Sequence, residues 1–307
     1  MNFKQRYEKI KETTGKDFEV LESDISNLFQ EKSPLNKHLL KFLTSPSKRI
    51  RPLLGFLFLR SISNKINKEQ YKILLAVELV HNATLIHDDI MDNASVRRKQ
   101  KTLNTKFDND LAVVAGDYLL SMSLEKVIET NSSQVLKLFT SAIKQTCLGE
   151  IRQYFTKNKI TSIEEYIEKS RQKTALLFEM GVLGGFLLSE KSQDKKLKQT
   201  ASDFAQNFGI AFQIRDDLMN VLNMENNAEN DFQSGVFTAP LIFAQKENKN
   251  ILKKNVFKEI QKTDAIEKTK TLMNNYFEKA IFSMEKIAPN KYKTAIKELI
   301  EILKESI

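Results

Sequence analysis

The sequence predicts an all-α protein. Five prolines and nine glycines in 307 residues leave few helix breakers and few hairpin turns. Long segments instead repeat their apolar residues with the period of an α-helix. These segments are 53–63, 70–92, 111–129, 133–156, 164–188, 197–224, 236–246 and 265–305. No linker rich in proline, glycine or serine divides the chain, so we expect a single domain over residues 1–307.

Composition and charge limit the compartment and the partners. No signal-peptide core follows Met1, and no stretch approaches about 18 uninterrupted apolar residues, so we expect a soluble cytoplasmic protein without a transmembrane segment. The one cysteine, Cys147, excludes an intramolecular disulfide. A formal charge of +9 suits anionic substrates or an anionic membrane surface. No nucleic-acid-binding motif accompanies the charge, so nucleic acid is not an expected partner.

Two acid-rich pentads, 88–92 and 216–220, indicate a metal site. Asp88 and Asp92 are four residues apart and project from one helix face, and the second pentad repeats this spacing. A single pentad is common on solvated helices, but residues 74–80 are apolar nearly all round, which is typical of a buried helix. Two such helices facing each other would form a cage of oxygen ligands, which suits Mg²⁺ and a phosphorylated substrate. The candidate ligands are Asp88, Asp89, Asp92, Asp216, Asp217 and Asn220.

Basic residues near the pentads favour an anion site. Arg97 and Arg98 follow the first pentad, and Lys48 and Arg51 lie in a basic run immediately before an apolar helix. Arginine binds phosphate oxygens with two hydrogen bonds, and lysine adds a mobile charge. A basic run is more often a solvated face, but its position beside buried helices favours a small anionic ligand. Lys173 is a further cation at the start of an apolar helix.

These residues belong to a set of motifs that resembles the trans-polyprenyl diphosphate synthases. The chain carries, in order, SKRIRP at 47–52, HNATLIHDDIMD at 81–92, RR at 97–98, FDNDLAVVAGDYLLS at 107–121, QKTALLF at 172–178 and GIAFQIRDDLMN at 209–220. The resemblance covers about residues 40–245 and implies an isoprenoid synthase helical bundle with a central active-site cavity. It also implies a homodimer that extends an allylic diphosphate with isopentenyl diphosphate, uses Mg²⁺, and contacts a membrane peripherally to release its product.

The resemblance assigns roles to individual residues. Asp88, Asp89, Asp92, Arg97 and Lys173 are the implied catalytic residues, which neutralise the departing diphosphate. The implied substrate-binding residues are Lys48, Arg51, His81, Arg97, Arg98, Lys173, Thr174 and Gln213. Isopentenyl diphosphate is expected on Lys48, Arg51, His81 and Arg98, without metal. A histidine in a buried helix is more often an ordinary core residue, but His81 shares a helix face with Asp88. Gln213 is four residues before Asp217, and Thr174 could equally be a helix cap.

Product length is expected to be set below the first pentad. In the family, a bulky aromatic residue at these positions restricts the product to short chains. Val80, Ala83 and Thr84 are small or of modest size. The resemblance therefore implies a medium- to long-chain polyprenyl diphosphate.

Departures from the family pattern leave two alternatives open. Asn220 replaces the usual final aspartate of the second pentad, and Val236 stands where a lysine is usual. The first alternative is a non-catalytic or regulatory subunit of a heteromeric synthase, although such subunits commonly lose the first pentad. The second is a class I terpene cyclase, whose metal triad would need Met224, and methionine does not suit Mg²⁺. A cyclase also needs no isopentenyl site, so the basic residues around Arg51 argue against it.

Overall fold

The computed structural model describes residues 2–31, 33–222, 235–248, 251 and 260–307, and helices dominate these ranges. In chain order, helices α1 to α14 are Phe3–Glu12, Lys16–Ser26, Pro34–Leu43, Ile50–Ile62, Lys68–Met91, Leu103–Lys106, Asn109–Ile128, Ser133–Phe155, Ile163–Ser170, Leu176–Leu187, Lys195–Leu222, Ala239–Glu247, Ala265–Ser283 and Lys291–Glu305. A five-residue π-helix, Arg171–Ala175, joins α9 to α10. A short hairpin, β1 Val96–Arg97 and β2 Gln100–Lys101, follows α5. The prediction of an all-α fold is confirmed.

The helix ends follow local capping signals. Asn67 begins α5 with a reciprocal capping box to Gln70, and Asp108 begins α7 by accepting a hydrogen bond from the backbone of Leu111. The segment predicted as one helix over 265–305 is two helices. Helix α13 ends at Ser283 and α14 begins at Lys291, because Pro289 cannot continue a helix and Asn290 caps the next one.

Helices α4 and α10, which are almost entirely buried, form the centre of the fold together with α5. Helix α10 packs against α4, α5 and α11, while α5 also packs along α7. The main apolar cluster draws residues from α1 through α14, from Tyr7 to Leu303. That continuity supports one domain, which stays a prediction. A second cluster, which includes Val80, Phe139 and Leu177, fills the space between α5, α7, α8 and α10. We call it the lower apolar cluster.

The hairpin after α5 contains a tight left-handed turn. Arg98 and Lys99, its two central residues, have φ angles of 50° and 62°. A two-residue hairpin turn of this kind requires positive φ at both positions. Lys99 therefore places a side chain on backbone that favours glycine, directly after Arg97 and Arg98.

No helix in the described part of the chain is long and apolar enough to cross a bilayer.

Candidate active site

A cavity of about 780 Å³ lies between α5, α7, α8, α10 and α11. Both acidic pentads reach it, because Asp88 on α5 and Asp216 on α11 line its wall together. The predicted residues Thr84, Arg97, Lys173, Thr174 and Gln213 line it as well. The structure therefore brings together residues from motifs that are far apart in the chain.

The first pentad places carboxylates around one ammonium group. Burial raises the pKa of Asp88, Lys173 opposes this shift, and the neighbouring charges of Glu150 and Asp92 add to it. Asp92 is exposed at the end of α5, where its backbone N–H donates to the carbonyl of Asp88 at 2.8 Å. Since Asp88, Asp92 and Glu150 share Lys173, this side of the cavity has more negative than positive charge and suits an added cation.

Asp89, the second acid of this pentad, points to the hairpin. It is buried, and its Oδ1 accepts a hydrogen bond from Arg97 Nε at 2.6 Å. It is not among the residues that line the cavity, whereas Arg97 is. Asp89 therefore fixes a cavity-lining arginine that comes from β1.

Lys173 is held across the cavity by Glu150 on α8. Its Nζ lies 2.9 Å from Glu150 Oε1. Burial lowers the pKa of the Lys173 ammonium, but Asp88 and Glu150 outweigh burial and raise it above its usual value. Lys173 is therefore charged at neutral pH. The role of Glu150 was not predicted from the sequence, because a Gly-Glu pair inside an amphipathic helix has no distinctive pattern.

The two adjacent aspartates of the second pentad also have different surroundings. Asp216 lines the cavity, and its Oδ1 accepts from Arg215 Nη1 at 2.9 Å. Burial raises the pKa of Asp216, against the opposing charges of Arg215 and Arg51. Asp217 is buried, and its two oxygens accept from Gln213 Nε2 at 2.8 Å and from the Tyr166 hydroxyl at 2.6 Å.

The last position of this pentad, Asn220, is half-buried near the end of α11. Residues 223–234, which include Met224, lie outside the described residues. Val236, where a lysine was expected from the family pattern, is half-buried just before α12.

A smaller basic pocket of about 230 Å³ adjoins the cavity. Arg51, His81, Arg98 and Phe212 line both spaces, so the two spaces share a wall. Lys48 also lines the basic pocket, and its Nζ lies 4.6 Å from the centre of the Phe3 ring.

Arg51 and His81 form a hydrogen bond on the wall that the cavity and the basic pocket share. Arg51 Nη1 lies 3.1 Å from His81 Nε2, and a guanidinium can only donate, so this ring nitrogen accepts. Burial lowers the pKa of His81 well below its usual value, and the charges of Arg51 and Arg98 add to that effect. Burial lowers the pKa of Arg51 to about 10, which leaves it charged at neutral pH. The histidine is neutral and the arginine is cationic.

Two residues that line the basic pocket each carry a buried polar atom without a hydrogen-bond partner among the described residues. These atoms are Ser47 Oγ and Arg51 Nε. A buried donor without a partner is costly, and an oxygen-rich anion in the pocket would supply an acceptor for each. The pocket therefore fits an anion, and Ser47 is a binding candidate that the sequence reading named only as part of its motif.

Arg98 and Arg49 bind different partners and therefore have different roles. Arg98 Nη1 lies 3.3 Å from both Ser45 Oγ and Asn82 Oδ1, which hold it at the shared wall. Arg49 is buried and forms an ion pair with Glu78 at 2.8 Å, so it ties the basic loop to α5.

The three residues predicted to control product length lie in different surroundings. Thr84 lines the cavity. Ala83 belongs to the main apolar cluster and Val80 to the lower one, and both are buried. Leu177 lines the cavity and also belongs to the lower apolar cluster, so it separates the two.

Within the described residues, no three His, Cys, Asp or Glu side chains are grouped closely enough to hold a metal ion by themselves. Mg²⁺ commonly takes one or two carboxylates and completes its shell with waters and substrate phosphates. The cavity-lining Asp88 and Asp216, with Asp92 next to Asp88, offer that kind of oxygen donor. The site therefore fits Mg²⁺ bound together with a phosphorylated ligand.

Comparison with known proteins identifies the class. The polyprenyl synthetase family model matches residues 32–274. A "Prenyl transferase" from Cyanidium caldarium is 31% identical over 95% of this chain and 96% of its own length. "Heptaprenyl diphosphate synthase component 2" from Bacillus subtilis (strain 168) is 29% identical over 96% of this chain and 88% of its own length.

Solved structures agree in fold. A decaprenyl diphosphate synthase from Rhodobacter capsulatus has a TM-score of 0.90 at 22% identity and covers 98% of this chain and 99% of that one. A heptaprenyl diphosphate synthase from Staphylococcus aureus gives 0.88 at 24% identity and covers 95% and 98%. Fold, cavity and relatives define a trans-prenyltransferase of the polyprenyl diphosphate synthase type. The chain belongs to the polyprenyl synthetase family.

Proposed function

We propose that this enzyme condenses isopentenyl diphosphate with an allylic diphosphate, in the presence of Mg²⁺, to make a medium- or long-chain polyprenyl diphosphate. One observation carries the proposal: a cavity lined by acids from both pentads shares a wall with a basic pocket. The first space suits a metal-bound diphosphate and the second suits a metal-free one. The shared wall would bring the reacting ends of two such substrates together.

Asp88, Asp92, Asp216 and Asn220 are the residues that would hold Mg²⁺. Bound there, Mg²⁺ would supply positive charge against the negative charge that develops on a departing diphosphate. Asp89 and Asp217 already accept hydrogen bonds from Arg97 and from the side chains beside α11, so their proposed role is to orient those neighbours.

Lys173 and Arg97 add fixed positive charge to the same cavity. Lys173 is held by Glu150 at 2.9 Å, and Arg97 by Asp89 at 2.6 Å. Charges that are already oriented need little reorganisation when charge develops during the reaction. Thr174 and Gln213 line the wall beside them and would contact the allylic diphosphate.

The basic pocket would bind isopentenyl diphosphate through Lys48, Arg51, Arg98 and Ser47. Arginine binds such oxygens with two hydrogen bonds, and the unpartnered Ser47 Oγ and Arg51 Nε provide further donors. His81 is proposed to hold Arg51 by accepting its hydrogen bond at 3.1 Å. The proton released on condensation is proposed to pass to the departing diphosphate, since no side-chain base is assigned.

A second copy of the chain is the proposed partner, and it would cover α7 and α8. Both helices expose large apolar side chains, Val113, Val114, Tyr118 and Ile128 on α7 and Ile151, Tyr154 and Phe155 on α8. An exposed apolar face of this kind is typical of a protein interface. Localisation in the cytoplasm and peripheral membrane contact stay predictions.

A heteromeric assembly is the second candidate. The Bacillus subtilis relative is named as a component of a synthase, which favours testing for a partner subunit. The first pentad and both arginines are present in this chain, which supports activity of the chain by itself.

The test is incubation of the purified protein alone with Mg²⁺, farnesyl diphosphate and radiolabelled isopentenyl diphosphate, followed by sizing of the dephosphorylated products. We expect a labelled series dominated by one length and lost when EDTA removes the metal. Asp203→Asn, an exposed change on the same helix as Asp216, is the matched control for pentad variants. Absence of incorporation with farnesyl, geranyl and geranylgeranyl diphosphates would contradict the proposal and favour the subunit candidate.

A further inference from the structure

Four side chains from three elements form a line of hydrogen bonds behind the cavity. The hydroxyl of Tyr166, on α9, donates to Asp217 Oδ2 at 2.6 Å. Asp217 Oδ1 accepts from Gln213 Nε2 at 2.8 Å, one turn earlier on α11. Gln213 Oε1 in turn accepts from the hydroxyl of Thr174, in the π-helix. We call this line the Tyr166 network. It begins at a tyrosine that is 2% exposed and ends at two cavity-lining residues.

The chemistry of the groups fixes the direction of every bond. The carboxylate oxygens of Asp217 accept hydrogen bonds from the hydroxyl of Tyr166 and from the amide nitrogen of Gln213. The amide oxygen of Gln213 then faces Thr174. A side-chain amide without such a neighbour could turn by 180° and exchange its donor and acceptor. Asp217 removes this freedom from Gln213.

We propose that Tyr166 is a positioning residue for the metal-bound diphosphate. By holding Asp217, it fixes the amide of Gln213 and the hydroxyl of Thr174 on the cavity wall. The proposal rests on the proposed function, because it assigns the metal-bound diphosphate to that wall. It makes Asp217 an internal support of the site.

Hydrogen bonds from neighbouring side chains also hold the backbone near Thr174. The π-helix Arg171–Ala175 is a rare local geometry that needs support from its neighbours. Ser170 Oγ donates to the Tyr166 carbonyl at 2.9 Å, and Thr146 Oγ1 donates to the Gln172 carbonyl at 2.9 Å. Tyr166 therefore contacts this region through both its side chain and its backbone.

Close packing of α11 makes the network geometrically possible. A Cβ at Gly209 would lie 2.4 Å from Ala175 Cα, so only glycine permits α11 to approach the π-helix this closely. Gln213 is one turn further along the same face of α11. The approach at Gly209 thus brings Gln213 within hydrogen-bond distance of Thr174.

A second tyrosine–aspartate bond provides a matched control. The hydroxyl of Tyr71 donates to Asp17 Oδ1 at 2.6 Å, the same length as the bond from Tyr166. Neither Tyr71 nor Asp17 lines the cavity or the basic pocket. Tyr71→Phe therefore removes the same kind of bond at a place where only stability should respond.

The experiment is calorimetric titration of wild type, Tyr166→Phe and Tyr71→Phe with inorganic pyrophosphate, with and without Mg²⁺. We expect Tyr166→Phe to weaken binding of Mg·pyrophosphate about tenfold and to leave metal-free pyrophosphate binding unchanged. Its KM for the allylic substrate should rise while the KM for isopentenyl diphosphate stays constant. Tyr71→Phe should lower the melting temperature and leave both titrations at the wild-type values.

A double variant tests whether Tyr166 acts through Gln213. If it does, adding Tyr166→Phe to Gln213→Ala should cause little further loss of Mg·pyrophosphate binding. Additive losses would overturn the proposal, as would wild-type binding by Tyr166→Phe or an equal weakening of both titrations. If Tyr166→Phe does not fold, Asp217→Asn should give the same selective loss, because an amide in place of the carboxylate lets Gln213 turn.

The same titration separates this proposal from the proposed function. Wild-type protein that binds Mg·pyrophosphate but transfers no prenyl group would refute the function and leave the network test valid. Wild-type protein that does not bind Mg·pyrophosphate would overturn both.

Discussion

Product length should respond to Thr84 and not to its neighbour Ala83. Thr84 lines the cavity, whereas Ala83 is packed in the main apolar cluster. A phenyl ring introduced by Thr84→Phe would extend into the path of the growing chain. The expected result is a shorter dominant product. Ala83→Phe, which adds a similar ring to the same helix, should leave the product length unchanged and reduce stability.

The cost in stability follows from the burial of each side chain. Ala83 is 1% exposed, so a larger residue overpacks the core at a cost of about 1–3 kcal/mol. Unfolding entropy averages about 2.1 cal/mol/K per residue, which gives roughly 0.6 kcal/mol/K for 307 residues. Ala83→Phe should therefore lower the melting temperature by about 2–5 °C. Thr84→Phe loses the hydrogen bond to the His81 carbonyl, worth about 1 kcal/mol, or about 2 °C.

The assay pairs thermal unfolding with sizing of radiolabelled products for both variants and wild type. A shortened product from Ala83→Phe at an unchanged melting temperature would refute the reasoning, because it would place Ala83 on the elongation path. An unchanged product from a folded Thr84→Phe would move that path to another wall of the cavity.

Three further predictions concern charge and hydrogen bonding. Asp88→Asn should reduce turnover by at least about a hundredfold. The melting temperature should not fall, because burial already disfavours the ionised carboxylate. Steady-state rates and a melting curve check this, and near-normal turnover would exclude Asp88 from the metal site. Ser47→Gly should raise the KM for isopentenyl diphosphate about fivefold and leave that for the allylic substrate unchanged, and equal effects on both would contradict the assignment. Glu78→Gln removes the negative charge that lies 2.8 Å from the buried guanidinium of Arg49, so unfolding monitored by circular dichroism should show a loss of about 3 kcal/mol. A loss below about 1 kcal/mol would mean that the charge of Glu22 suffices.

The sequence predicted that the two pentads form one site because the signal of each pentad is local. Two acids four residues apart in an apolar helix are readable without any contact information, and both pentads do reach one cavity. Which acid of each pair faces the cavity could not be predicted. Asp89 is turned to the hairpin by Arg97, and Asp217 is held by Tyr166, a residue on another helix. Those partners are determined by tertiary packing.

The residues that sequence reasoning missed lack a distinctive local pattern. Glu150 reads as an ordinary acid of an amphipathic helix, and only the fold brings it 2.9 Å from Lys173. In the sequence, Tyr166 is indistinguishable from an ordinary aromatic residue of the core. The π-helix that carries Thr174 lies close to Gly209 of α11, and no helical periodicity encodes that approach.

Helices α1 and α3 were not among the helices predicted from apolar periodicity, although capping signals mark where they begin. Helix α1 begins with a capping box from Asn2 to Gln5, and α3 begins with Ser33 followed by Pro34. Each of these helices has only ten residues, so a search for long periodic segments does not find them.

The most direct test of the proposed site is a crystal structure with Mn²⁺ and inorganic pyrophosphate, with the anomalous signal of the metal used to locate it. We expect a peak between Asp88 and Asp216, with pyrophosphate oxygens reaching Lys173 and Gln213. Metal density elsewhere, with no pyrophosphate oxygen near Lys173 or Gln213, would contradict the proposed site.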